Sequence, residues 1–267
     1  MIDLSTTTQL DRIMAKTLFR VEARKADASL GELERRAEAH TPRGFAAGLR
    51  SAAVAGVAVI AELKKASPSK GVLREEYRPV EIAKSYEGAG AAAISVLTDE
   101  DFFQGSLGDL ERVSAAVKIP VLRKDFILDS FQILEARAAG ADAILLIVAA
   151  HTDDDLRKFN SAAQALGLDV LCEVHDAIEL RRAVDLGCGT IGVNCRNLKT
   201  LEVNLRLHEE LVGLMPRDVL RVAESGIRGA EDVERLVKAG YDAFLVGEAL
   251  MKQTDPGATL RLLMGKD

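Results

Sequence analysis

Glu62 and Lys64 follow the apolar run Val59-Ile60-Ala61. In an extended strand, residues two apart share a face, so this carboxylate and ammonium point the same way and Leu63 points opposite. Two opposite charges on one face of a buried-looking strand make either a surface ion pair or part of a site. The feature recurs along the chain. Apolar runs deliver Thr98-Asp99, Arg123-Lys124-Asp125 in IPVLRKDF, Glu173 in VLCEVHD, Asn194 and Arg196 in IGVNCRNL, Glu224-Ser225 in RVAESGI, and Gly247-Glu248. Taken singly, each is most simply an exposed or paired polar residue. Gathered at one place, Glu62, Lys64, Lys124, Glu173, Asn194 and Glu224 would share a small volume. The segments ESGI and VGEAL add a glycine between a strand and a helix. Glycine lets a backbone approach closely and helix N-terminal N–H groups bind anions, which suits a phosphate. There Glu248 would offer its backbone N–H with its carboxylate turned away. Lys64 and the loop Ser67-Pro68-Ser69-Lys70-Gly71 would add charge and flexibility from across the mouth.

Such a gathering needs a scaffold. A helix-like stretch, a glycine and a short apolar run recur in EGAGAAAISVLT, RAAGADAILLIV, QALGLDVLCEV, DLGCGTIGVN and KAGYDAFLVG. The glycine suits the left-handed close of a helix. The Val-, Ile-, Leu- and Ala-rich run suits a parallel strand buried on both faces. Eight such runs are predicted, near 57–63, 93–97, 119–123, 143–148, 169–174, 190–194, 219–223 and 243–246. Between them FQILEARAAG and DVERLVKAG show helical apolar spacing. Eight alternating units predict an α/β fold, a (β/α)8 TIM barrel, over 51–267. No GxGxxG follows the first strand, which weakens a doubly wound dinucleotide fold. Barrel enzymes place their chemistry at the C-terminal strand ends, where the residues above fall. Residues 1–50 lie outside the repeat and form an N-terminal helical extension packed on the barrel. Leu10, Ile13, Met14, Leu18 and Val21 make a helical stripe there. It serves either as a plug over the barrel bottom or as a lid beside the active end.

A net charge of −6 excludes bulk nucleic-acid or membrane-surface binding. No window holds the ~18 apolar residues of a spanning helix, and the first residues lack a signal-peptide pattern. Cys172, Cys188 and Cys195 have no CxxC spacing and suit a reducing cytoplasm. We expect Cys172 and Cys195 to be small buried residues. His40, His151, His175 and His208 lack metal-ligand spacing, so no metal site is predicted. His175 is expected to face away from Glu173.

Read in order, AELKKASPSKG, SVLTDEDFFQGS, PVLRKDFI, LLIVA, LCEVHD, IGVNCRNL, VAESGI and FLVGEALM resemble the indole-3-glycerol phosphate synthase family through all eight runs. TPRGFAAGL extends the resemblance into the N-terminal segment. Cys195 departs from it, since a polar Asn or Ser is more usual there. The resemblance implies a cytoplasmic carboxy-lyase of tryptophan biosynthesis that needs no metal or organic cofactor. Its implied partner is a small phosphorylated substrate, 1-(2-carboxyphenylamino)-1-deoxyribulose 5-phosphate. It implies Lys124 as general acid and Glu173 as general base. Lys64 is then a second cation, contacting carboxylate or phosphate or acting in dehydration, and Glu62 holds both lysines. Two close ammonium groups would lower each other's proton affinity. Asn194 and Glu224 orient hydroxyls, Arg196 with Ser67 receives the anthranilate carboxylate, and Ser225 adds a hydrogen bond. Gly226, Gly247 and the Glu248 N–H receive phosphate. Phe103, Phe126, Leu145 and Leu245 line an apolar slot. We expect a monomer or weak homo-oligomer.

Three rivals stand beside this reading. Phosphoribosylanthranilate isomerase needs a cysteine base on its first strand, where this chain has Glu62 and Lys64. An aldolase would use Lys124 as a Schiff-base nucleophile. A non-catalytic phosphate binder would need neither Lys124 nor Glu173.

Overall fold

The computed structural model describes residues 8–198 and 200–266. Residues 1–7 of the expected extension, and Lys199 and Asp267 of the expected barrel, lie outside the described residues. Eight parallel strands close a barrel: β1 Ala58–Leu63, β4 Ala93–Leu97, β5 Val121–Lys124, β6 Ala143–Ile147, β7 Asp169–Val174, β8 Thr190–Asn194, β9 Leu220–Glu224 and β10 Ala243–Val246. Each pairs with its sequence neighbour, and β10 returns to β1 with Ala58 opposite Ala243. Two short strands, β2 Ala66–Ser67 and β3 Gly71–Val72, form a separate antiparallel hairpin. The expected SPSKG loop is therefore the tip of this hairpin.

The eight expected runs coincide with these strands to within a few residues. The third starts later than expected, at Val121 and not near 119. Pro120 has no N–H to give the ladder, although its carbonyl accepts from the Ile94 N–H at 2.9 Å. The strand therefore reaches one residue further and ends on Lys124.

Helices alternate with the strands: α4 Pro79–Ala89, α5 Glu100–Phe103, α6 Leu107–Ala116, α7 Ser130–Ala138, α8 Asp153–Ala165, α9 Ala177–Asp185, α10 Arg206–Val212, α11 Ala230–Ala239, α12 Glu248–Met251 and α13 Pro256–Leu263. The strand period of two separates the core into two parts. Val59, Ala61, Ile144, Leu146, Cys172, Ile191 and Phe244 pack outward against helix residues such as Ile82, Ile133, Leu180 and Leu236. Ala58, Ile60, Leu122, Leu145, Leu171, Val222 and Leu245 fill the barrel interior. Continuing each inward series toward the C-terminal end gives Glu62, Lys124, Glu173 and Glu224. The charged mouth is thus the last layer of the same alternation that builds the apolar interior. Arg123 faces outward, 1% exposed, and pairs with Asp125 at 2.9 Å and with Glu135 of α7 at 3.4 Å.

Three helices precede β1: α1 Gln9–Asp27, α2 Leu30–Ala39 and α3 Phe45–Ala55. They divide the two roles considered for the extension. At the strand beginnings, α3 closes the barrel bottom with buried Phe45 and Leu49. The Ala46 N–H donates to Asp169 at 2.9 Å, and Arg43 donates to the fully buried Asp142 at 2.8 Å. At the opposite end, Leu10 and Ile13 of α1 line the mouth cavity. Arg24 and Lys25 tie α1 to Glu135 and Asp129, both at 2.9 Å or less.

Candidate active site

A cavity of about 1160 Å³, open solvent included, lies at the C-terminal strand ends. Every sequence-predicted site residue lines it: Glu62, Lys64, Ser67, Phe103, Lys124, Phe126, Leu145, Glu173, Asn194, Arg196, Glu224, Ser225, Gly226, Leu245, Gly247 and Glu248.

Two ion-pair groups organise the floor. Lys64 reaches Glu62 at 2.6 Å. Lys124 lies between Glu173 at 3.0 Å and Glu224 at 3.3 Å. Glu62 thus makes its direct ion pair with Lys64, while it acts on Lys124 through its charge without an ion-pair contact. Glu173 and Glu224 are each 1% exposed, so their charges must be balanced inside the protein.

The expectation that the lysines depress each other fails for Lys124. Burial pushes its pKa down, but Glu173, Glu224 and Glu62 outweigh burial, and the ammonium is held well above its ordinary value. Three carboxylates act on Lys124, from β1, β7 and β9. Burial likewise favours a neutral Glu173, but Lys124 and His175 outweigh it and hold the carboxyl below its usual range. Glu224 goes the other way. Burial and the Glu173 charge outweigh Lys124 and push it up to about 8.

This shift has a sign that can be tested. A carboxyl raised in the folded state binds more protons than its unfolded counterpart between about 4.3 and about 8. Its stabilising contribution is therefore full below that window and is lost as pH rises through it. The melting temperature of Glu224→Gln, minus that of the parent, should increase from pH 5 to pH 8. A difference independent of pH would contradict the assignment.

Past β8 and β9, the Asn194 Oδ1 accepts from the Arg196 N–H at 3.0 Å and from the Ser225 hydroxyl at 2.8 Å. Ser225 has φ 66°, a left-handed conformation that side chains other than glycine rarely adopt. Asn194 thus fixes the turn leading into Gly226. Arg196 donates to the Leu201 carbonyl at 3.1 Å and lies 3.6 Å from Glu248. Glu248 also pairs with Lys252 at 2.6 Å. Cys172 and Cys195 are buried as expected, and all three cysteines are free thiols.

Sequence reasoning missed several cavity residues. Leu198 and Leu201 come from the loop after β8, which carries no periodic signal. Asp99, read from the sequence as a strand-end residue but given no role, lines the wall and caps α5, accepting from the Phe102 N–H at 2.7 Å. His175 is the largest correction. It lies two residues beyond Glu173, so alternation places it on the same side, and its Nε2 is 3.3 Å from Glu173 Oε1. Among the described residues, no group of three or more His, Cys, Asp or Glu could hold a metal ion.

A closed eight-stranded parallel barrel, helix-plugged below and lined by paired lysines and glutamates above, defines a (β/α)8-barrel enzyme. Solved structures agree on that fold. The chain is similar to thiamine phosphate pyrophosphorylase from Pyrococcus furiosus, with TM-score 0.59 and 17% identity, over 78% of this chain and 93% of that one. A mandelate oxidase mutant with an FMN adduct gives TM-score 0.61 and 21% identity, over 79% and 71%. The family model for indole-3-glycerol phosphate synthase matches residues 10–263. An indole-3-glycerol phosphate synthase of Koribacter versatilis (strain Ellin345) is 58% identical over 259 residues, covering 97% of this chain and all of that one. The chain belongs to the indole-3-glycerol phosphate synthase family.

Proposed function

We propose that the chain closes the indole ring of 1-(2-carboxyphenylamino)-1-deoxyribulose 5-phosphate, releasing carbon dioxide and water to give indole-3-glycerol phosphate. The carrying observation is the Lys124 ammonium at the cavity floor, held between Glu173 and Glu224. The aromatic ring carbon bearing the carboxylate attacks the ketone carbon of the sugar chain. Lys124 stabilises and protonates the ketone oxygen as charge develops there. Loss of carbon dioxide leaves a hydroxyl to depart as water. Glu173 removes the proton from the new five-membered ring, and Lys64, held by Glu62, protonates the leaving hydroxyl.

The remaining residues bind and orient. Asn194 and Glu224 meet the chain hydroxyls, with Ser225 adding a hydrogen bond. Arg196 and Ser67 receive the anthranilate carboxylate. Gly226, Gly247 and the Glu248 backbone N–H receive the phosphate, with Lys64 near. Phe103, Phe126, Leu145 and Leu245 hold the aromatic ring; Phe103 and Phe126 have centroids 6.5 Å apart. The chain works in the cytoplasm as a monomer or weak homo-oligomer. Its unpaired thiols support that compartment, and no helix among the described residues is long and apolar enough to cross a membrane.

Fluorescence-monitored turnover of this substrate by purified protein in EDTA tests the reading. Indole product appearing is the expected result. Folded protein that binds the substrate without turnover would return the site to a phosphate-binding role, and borohydride trapping of Lys124 to an aldolase.

A further inference from the structure

Glu173 and Glu224 are chemically identical, equally buried and within 0.3 Å of the same distance from Lys124 Nζ, at 3.0 and 3.3 Å. Something must decide which of them is the base. Among the cations that face them, His175 makes the difference. The His175 Nε2 faces Glu173 Oε1 at 3.3 Å, and its Nδ1 faces Glu179 Oε2 at 3.0 Å. The same Glu179 oxygen accepts from the His175 backbone N–H at 2.8 Å. Glu179 sits in the first turn of α9, where Asp176 caps the helix by accepting from the Ile178 and Glu179 N–H groups, both at 2.8 Å. The ring is thus pinned along one edge by the start of a helix and aimed with the other edge at Glu173. Glu224 has no imidazole beside it: its Oε2 lies 3.3 Å from Lys124. Neither Glu224 oxygen nor the His175 Nε2 completes a hydrogen bond, so what His175 brings to Glu173 is its charge at 3.3 Å.

A neutral imidazole carries one N–H. Between two carboxylates it would turn a lone pair on one of them. The doubly protonated ring turns an N–H and a positive charge toward both. We propose that His175 is a positioning residue: its imidazolium, anchored by Glu179, keeps Glu173 as the ionised member of the carboxylate pair and leaves the proton on Glu224. This rests on the reading of Glu173 as the general base.

The charges facing this arrangement support it. Burial opposes a charged His175, but Glu173 and Glu179 outweigh burial and raise it to about 10. Glu173 faces Lys124 from β5 and His175 from its own loop. Glu224 faces Lys124 and Glu173, and Glu62 from β1 adds its field at Lys124. With Lys124 shared, His175 is the charge that breaks the symmetry. A protonated Glu224 can donate to a substrate hydroxyl, which an ionised one cannot.

The test is kcat/KM from pH 4.5 to 9 for His175→Asn, His175→Gln, Glu179→Gln and Glu173→Gln beside the parent. Removing an opposite charge at this range moves a carboxyl by about one unit or more. The parental limb lies below this pH range, because Glu173 is held below the usual carboxylate values. In H175N the single proton of the pair is no longer kept off Glu173, so an acid limb should appear below about 8, an about ten-fold loss at the acid end, with KM changing less than kcat. E179Q should shift the limb the same way by less. H175Q can still donate a hydrogen bond but carries no charge, so it should match H175N. A packing role would lower stability without moving the limb. An unmoved limb in H175N, or a parental limb in H175Q, overturns the proposal. A direct reading on the parent guards against misfolding of the variants. At pH 8, nitrogen NMR should find both His175 ring nitrogens protonated, and a single N–H tautomer overturns the proposal. Parental activity in E173Q would instead remove the base assignment itself. An inactive E173Q with an unmoved H175N limb would fail this inference alone.

Discussion

Lys124→Met should lower kcat by about three orders of magnitude or more, within the upper range that general-acid and electrostatic groups supply. Methionine keeps most of the side-chain length and removes the ammonium. Ring closure then has no cation at the ketone oxygen when charge develops there. The substitution also leaves Glu173 and Glu224 facing each other with their shared counter-charge gone. Without that counter-charge the buried Glu173 is held ionised by His175 alone and shifts toward its protonated form, so the base is weakened along with the acid. KM should change far less, because Arg196, Ser67 and the glycine turns are untouched. Steady-state kinetics with circular dichroism decide the matter. A folded K124M enzyme with parental kcat would remove Lys124 from the chemistry.

Glu173→Gln has the second-largest expected effect, and it falls on a different step. Lys124 remains, so the attack on the ketone and the loss of carbon dioxide can proceed. Removal of the ring proton cannot, since an amide is no base at neutral pH. Turnover should fall by about 10²- to 10⁴-fold. In a single turnover, carbon dioxide should appear faster than indole fluorescence. Release of both together at the parental rate would show that another group takes the proton. The parent should keep its activity well down the acid side. Its base is held below the usual carboxylate range, and the ionised form is lost only as pH falls through that lowered value.

Much of this architecture is legible in the chain because β/α repetition writes itself twice, in apolar runs and in the glycines that close helices. The inward series on each strand made Glu62, Lys124, Glu173 and Glu224 readable as one group once the barrel closed. Proline chemistry explains the one notable boundary shift, at Pro120. The extension was less legible. Its apolar stripe shows a buried face but not which end of the barrel it covers, and α1 and α3 take opposite ends. The electrostatics of Lys124 were misjudged because sequence spacing reveals the neighbouring lysine more readily than glutamates arriving from β7 and β9. His175 was discounted as a bystander. Its role depends on Glu179, four residues later and on a helix, a contact that strand alternation alone does not reveal.

Gly192 and Gly247 have a different kind of meaning. A Cβ on Gly192 would collide with Glu224 Oε1, and one on Gly247 with Glu62 Oε1. These two positions work as moulds, giving shape to the mouth by what they leave out. Drift at either to even the smallest side chain would spare the apolar barrel and dislodge a carboxylate. Chains that keep the barrel and the lysines but fill these hollows would be fossils of the catalyst, folded and silent.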